Sequence, residues 1–177
     1  MSLNPEILQK LSNIVGESFI FTDEEILNHY GHDETEDLVH PPEVVLKPID
    51  TAEVSAILKY CNEQRIPVTA IGGRTGLSGG ALSVYGGVGL SMEKMNRIVE
   101  IDELNLQVTV QPAVITQVLQ ETVAAKGLYY PPDPSSRGSC FIGGNLAENA
   151  GGPRAVKYGV TKDFVLNLEV VMANGDV

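Results

Sequence analysis

Gly72-Gly-Arg-Thr-Gly-Leu-Ser-Gly-Gly80 follows directly on an apolar run, Ile66-Pro-Val-Thr-Ala-Ile71. Five glycines in nine residues at the end of a strand decide the reading of the fold. Glycine adopts positive φ without strain and lets backbone approach a ligand closely. Successive N–H groups in such a loop form a nest for an anion. Upstream, Glu43-Val-Val-Leu-Lys47 reads as a short strand stopped by Pro48. Asp50-Thr-Ala-Glu53 reads as a capping box, opening a helix to about Gln64 with Val54, Ile57, Leu58 and Cys61 on one face. Residues 43–71 are therefore β-α-β, and the glycines begin where the second strand ends. No Gly-Lys-Ser/Thr closes the loop, so it is not a P-loop. The Gly-x-Gly-x-x-Gly spacing of a Rossmann turn is absent, and strands rather than a helix follow. Taken alone, the loop reads equally well as a tight surface connection.

Towards the N-terminus the chain reads as helical and charged. Asn4-Pro5 opens a helix with Ile7, Leu8, Leu11, Ile14 and Val15 at helical spacing, and Gly16 ends it. Thr22-Asp-Glu-Glu25 reads as a capping box before Ile26, Leu27 and Tyr30. The polar stretch Gly31 to His40, closed by Pro41-Pro42, reads as a linker. The expected division is an N-terminal helical arm and linker over 1–42 and a domain over 43–177 that is cut short at its C-terminal end.

Towards the C-terminus, Gly89–Met92, Arg97–Ile101 and Leu106–Val110 read as strands, and Thr116–Lys126 as a helix ended by Gly127. Residues 129–159 read as a long irregular stretch rich in Gly, Pro, Ser and Asn. Loops of that length in a compact domain are more often functional than idle. Asn145 and Asn149 carry both donors and acceptors, as reading a heterocycle edge requires. Phe164–Met172 reads as a final strand running into Asn174-Gly175, a two-residue hairpin signal. A return strand would begin at Asp176-Val177, and an unpaired apolar edge there invites self-association.

Composition narrows the classes of function. The 177 residues carry 12 Lys+Arg against 23 Asp+Glu, a net charge of −11. Such a chain repels nucleic-acid backbones and anionic membranes. No apolar run approaches the roughly 18–20 residues of a membrane span, and no signal peptide is expected at the N-terminus. Two cysteines make no disulfide framework, so a reduced, cytoplasmic setting is expected. His29-x-x-His32-Asp33 has metal-like spacing, but Gly31 interrupts it and no fourth ligand is evident, so no metal is expected. Cys61 and Cys140 read as packing residues. Asp133, flanked by prolines, reads as a loop-fixing residue that bonds backbone N–H groups rather than as a base.

Four segments, Gly72–Gly80, Pro131-Pro-Asp-Pro-Ser-Ser136, Ile142–Gly152 and Tyr158–Asp163, match in order and spacing the PCMH-type FAD-binding domain of the vanillyl-alcohol oxidase flavoproteins. The chain most resembles the D-lactate dehydrogenase and glycolate oxidase branch of FAD-linked oxidases, from about Glu43 onward. The resemblance implies an α+β fold of two small α/β subdomains. It implies pyrophosphate contact by Gly72, Gly73, Arg74, Thr75, Gly76, Leu77, Ser78 and Gly79. It implies ribityl and flavin contact by Pro132, Asp133, Ser139, Gly143, Gly144, Asn145, Asn149 and Gly152, with backbone contact at Val165. The family's loop usually reads Arg-Gly-(Gly/Ala)-Gly-Thr, whereas here Ile71 takes the Arg position and Arg74 the last Gly. Arg74 is therefore either strained at a positive φ or a charge-assisted pyrophosphate contact. No His follows His40, so the resemblance implies non-covalent FAD.

The reading that follows is the FAD-binding part of an oxidoreductase that moves a hydride from a small 2-hydroxy acid. The resemblance puts the catalytic base and the carboxylate-binding arginines in a later substrate domain, so the chain alone is expected to be inactive. The alternatives are a non-catalytic flavin- or nucleotide-binding module and an apo fragment unable to hold cofactor.

Overall fold

The structure, a computed structural model, describes residues 3–177. The chain divides into two units, Met1–Lys94 with Glu169–Val177, and Met95–Leu168.

The first unit is built on a four-stranded sheet in the order β1-β2-β4-β3. Its strands are β1 (Ile20–Phe21), β2 (Val44–Leu46), β3 (Val68–Ile71) and β4 (Val88–Ser91). β1 runs antiparallel to β2, and β2, β4 and β3 are mutually parallel. β2 and β4 are buried at every position, as inner strands of a parallel sheet must be. Gly89 sits in β4 because Pro42 crosses it: a Cβ there would meet Pro42 Cγ at 2.9 Å.

Among the described residues three α-helices belong to this unit, and local chemistry sets their ends. α1 (Pro5–Val15) starts with Asn4 accepting the Ile7 N–H at 2.9 Å and stops at Gly16, φ 83. α2 (Glu24–Tyr30) is capped by Asp23, which accepts the N–H groups of Glu25 and Ile26. The cap expected at Thr22 is thus one residue later, because the Asp23 carboxylate reaches two orphan donors. α3 (Thr51–Gln64) is capped by Asp50, while Glu53 reaches back to the N–H of Ile49. α1 packs on α3, and Leu11, Ile57 and Cys61 are buried. Residues 20–21 of the expected N-terminal arm form β1, so that segment contributes a strand to this sheet.

The expected strand over 164–172 does not form. Thr161–Phe164 is a 3-10 turn, and 165–172 belongs to no ladder. Leu166, Leu168, Val170 and Met172 are all exposed. Apolar alternation specifies a strand only where a neighbour completes its hydrogen bonds. The hairpin signal also resolves differently. The N–H of Gly175 bonds Met172 O, and the N–H of Met172 bonds Asp176 O, so Ala173 and Asn174 are the central turn residues. Gly175, at φ 87, takes the left-handed position after the turn. This is the three-residue turn with a glycine bulge rather than the two-residue form.

The second unit holds the antiparallel pair β5 (Ile98–Asp102) and β6 (Gln107–Val110) with a bulge between Ile98 and Glu100. Its core joins Val114, Leu119, Val123 and Ile142, with Ile101, Val108 and Tyr130 packed against it. α4 (Thr116–Ala124) supplies Leu119 and Val123. The stretch expected to be irregular contains two short helices, α5 (Ile142–Ala147) and α6 (Ala155–Tyr158). The glycines of α5 hid it, since glycine costs about 1 kcal/mol in a helix interior. Gly143 is there for packing: its N–H bonds Pro112 O at 2.8 Å, and a Cβ would meet Pro112 Cβ at 2.8 Å.

Candidate functional site

In the first unit, the connection from β3 to β4 is the glycine loop itself. The N–H groups of Gly73, Arg74, Thr75, Gly76 and Leu77 have no protein acceptor among the described residues. Backbone donors are obligatory hydrogen-bonding groups. A consecutive run of five on a half-exposed loop is a ready donor set for an anion. A Cβ at Gly76 would meet nothing within 4 Å, so the space above the backbone is open. Two further bonds shape the loop: Gly79 N–H to Thr35 Oγ1 at 2.9 Å, and Glu34 N–H to Gly76 O at 3.1 Å.

Arg74 carries a positive φ of 55°, the left-handed conformation of the first of its two expected alternatives. Its Nη1 donates to the carbonyl oxygen of His29. Nη2 lies 2.8 Å from His29 Nε2, and the guanidinium carbon sits 4.9 Å from the Tyr30 ring centroid. Both terminal nitrogens are thus engaged at the end of α2. Tyr30 in turn donates its hydroxyl to Glu93 at 2.6 Å, and Glu93 pairs with Lys47 at 2.7 Å. Burial pushes the Glu93 carboxyl up, but Lys47 and Tyr30 outweigh it and leave it below its ordinary value. Burial likewise pulls Lys47 down, and the same partners leave it raised. With Glu25, Ile26 and His29 these residues line a cleft of about 450 Å³.

In the second unit, Pro132, Asp133 and Gly152 come together. Asp133 is 6% exposed. It does not bond backbone N–H groups, as the sequence led us to expect. It pairs with Arg137 Nη1 at 2.8 Å and Arg154 Nε at 3.2 Å. Two guanidiniums outcompete neutral donors for one carboxylate because charge-assisted bonds are about twice as strong. The Arg137 hydrogen bond is the main reason the Asp133 carboxyl lies below its usual range. Gln120 Nε2 donates to Pro132 O at 2.7 Å. Arg154 also lies 5.6 Å from the centroid of Tyr129.

The amides of this segment face protein partners. Asn145 is buried, and its Nδ2 donates to Thr116 Oγ1, which contacts Cys140 Sγ at 3.2 Å. Asn149, at φ 51, accepts the Lys162 N–H at 3.0 Å. Ser139 Oγ donates to Ser136 O at 3.3 Å, and the Val165 N–H bonds Lys162 O. Gly144 is different: a Cβ there would meet nothing within 4 Å. Burial pushes the Tyr130 hydroxyl up to about 12. Sequence reasoning missed Arg137, Arg154, Thr116 and Gln120. Only the four-residue spacing of Asp133 and Arg137 hinted at a pair, and nothing linked Arg154 to it.

A family model for the FAD binding domain matches residues 42–177. The chain belongs to that family. This FAD-binding domain is 50% identical over 148 residues to glycolate oxidase subunit GlcD of Bacillus subtilis, covering 84% of the chain and 32% of the relative. It is 43% identical over 176 residues to a D-lactate dehydrogenase of Anaerostipes hadrus, covering 99% and 37%. The chain spans about a third of the length of the curated relatives it matches. Among solved structures, p-cresol methylhydroxylase with substrate bound superposes with a TM-score of 0.81 at 26% identity, over 96% of this chain and 33% of that one. An alkyldihydroxyacetonephosphate synthase gives 0.83 at 18% identity, over 92% and 32%. The fold is thus the α+β, PCMH-type arrangement expected of an FAD-binding domain. The chain's own features fit FAD: the free donor run at Gly73–Leu77 suits a pyrophosphate, and open backbone at Gly76 and Gly144 admits close approach. No helix among the described residues is long and apolar enough to cross a membrane.

Proposed function

We propose that this chain is the FAD-binding part of an oxidoreductase acting on a small 2-hydroxy acid. The observation that carries the reading is the unpaired donor run of the glycine loop, in a chain half identical to a glycolate oxidase subunit. FAD, when bound, supplies the hydride acceptor. The protein's part is to bind and orient it. Within the loop from Gly72 to Gly79, the unpaired N–H groups of Gly73 to Leu77 hold the pyrophosphate, which is how a chain of net charge −11 accommodates an anion without a basic patch. In the second unit, Pro132, Asp133, Ser139, Gly143, Gly144, Gly152 and Val165 lie along the ribityl chain and flavin. Asn145 and Asn149 serve there by holding the backbone, since both side chains have protein partners. FAD is held without a covalent link.

Titration of the purified chain with FAD, followed by flavin fluorescence, tests the reading. Saturable binding is expected; no change in fluorescence up to high micromolar protein overturns it. Anaerobic addition of D-lactate, glycolate or D-2-hydroxyglutarate to the loaded chain is expected to leave the flavin oxidised, because the substrate base and arginines belong to the rest of the protein. Bleaching by the chain alone would place the substrate machinery within these 177 residues instead.

A further inference from the structure

We infer that residues 29–35, which precede the family domain in sequence, are the scaffold that shapes the glycine loop, and that the Arg74 side chain is their anchor on it rather than a phosphate ligand. The family match begins at residue 42. Yet the loop is tied at three separate places to residues before that point. Arg74 reaches His29 O, His29 Nε2 and the Tyr30 ring. Gly76 O accepts the N–H of Glu34, and Thr35 Oγ1 accepts the N–H of Gly79.

These ties engage the Arg74 side chain, Gly76 O and the Gly79 N–H, while the N–H groups from Gly73 to Leu77 stay unpaired. The Arg74 side chain goes to the C-terminal end of α2, where exposed carbonyl oxygens favour a cation. That contact offsets the strain of a non-glycine residue at φ 55. Arg74 Nη2 also lies 2.8 Å from His29 Nε2, within hydrogen-bond reach of the ring. The inference rests on the FAD reading for the identity of the ligand but not for the shape of the loop.

Three variants test it: Arg74→Gly, His29→Ala and the conservative Thr35→Val. The readout on the chain without FAD is amide exchange at Glu34, whose N–H bonds Gly76 O. Faster exchange is expected in Arg74→Gly and Thr35→Val, with the amides of β2 unchanged. Exchange equal to wild type in both variants overturns the inference. With FAD, each of the three is expected to weaken binding about three- to tenfold, the worth of a hydrogen bond or two. Arg74→Gly combined with His29→Ala should lose little more than Arg74→Gly alone. If only Arg74→Gly weakens binding, Arg74 is a phosphate ligand and the inference fails; if Arg74→Gly tightens binding, strain outweighs anchoring and it fails as well. Altered exchange at Glu34 in a chain that binds no FAD keeps the scaffold and removes the cofactor reading.

Discussion

The carbonyl oxygen of Asp133 occupies the place where a side chain on Gly152 would begin: a Cβ built there lies 1.9 Å from it. Gly152 also has φ 131, which side-chain-bearing residues avoid. Gly152→Ala therefore meets both overlap and backbone strain. We expect a loss of roughly 3 kcal/mol or more in the second unit. Urea denaturation monitored by a probe in that unit checks this, and a loss under about 1 kcal/mol would mean that the two segments part easily.

Asp133→Asn keeps the shape but removes the charge that holds Arg137 and Arg154. A cost of about 1–2 kcal/mol at pH 7 is expected, since both arginines are partly solvated. Because the folded carboxyl lies below its ordinary value, its contribution is complete above the unfolded value of roughly 3.9. It is lost as pH falls through the lower folded value. The stability gap between wild type and Asp133→Asn should thus be constant from about pH 5 upward and close in acid. A pH series of denaturation midpoints reads the gap directly; a gap that widens in acid would contradict the sign.

Glu93 gathers Lys47, the Tyr30 hydroxyl and Ser91 Oγ. Glu93→Ala leaves the Lys47 ammonium, whose side chain is 15% exposed, without its carboxylate. A loss of roughly 1–3 kcal/mol is expected, moderated by the Phe21 and Tyr30 rings that also face the ammonium. Thermal unfolding of Glu93→Ala beside Lys47→Met separates the lost pair from a stranded charge. Lys47→Met should be the milder change.

Both cysteines are buried and free. Burial pushes the Cys61 thiol up to about 11. Neither is expected to react with an aromatic disulfide reagent at pH 8 in the native chain, and both should react in denaturant. A fast-reacting equivalent in the native state would show that α3, which carries Cys61, or the turn at Cys140 opens readily.

Much of this molecule was legible where chemistry is local. Asn4, Pro5 and Asp50 announce helix starts because their side chains act within one turn. The glycine loop was legible because a strand and a helix before it placed it at a strand end. Structure resting on distant partners was not. The strand expected at Phe164–Met172 had alternation but no neighbour. The direction of Asn145 depends on Thr116, 29 residues away in sequence. Arg154 finds Asp133 only because Gly152 brings the backbones together. α5 was hidden because Gly143 answers to Pro112 rather than to helix propensity.

The strand order β1-β2-β4-β3 also fixes an order of events during synthesis. β2 and β3 flank β4 and do not touch each other in the finished sheet. A nascent chain that has reached Ile71 contains both flanking strands but not the strand that bonds to each of them. This part of the sheet cannot close until Val88–Ser91 have been made. The glycine loop is the tether by which that last strand is drawn in, and no helix within it shortens the search. The glycine loop, whose two ends are the end of β3 and the approach to β4, is therefore closed into its shape only when the sheet itself is complete.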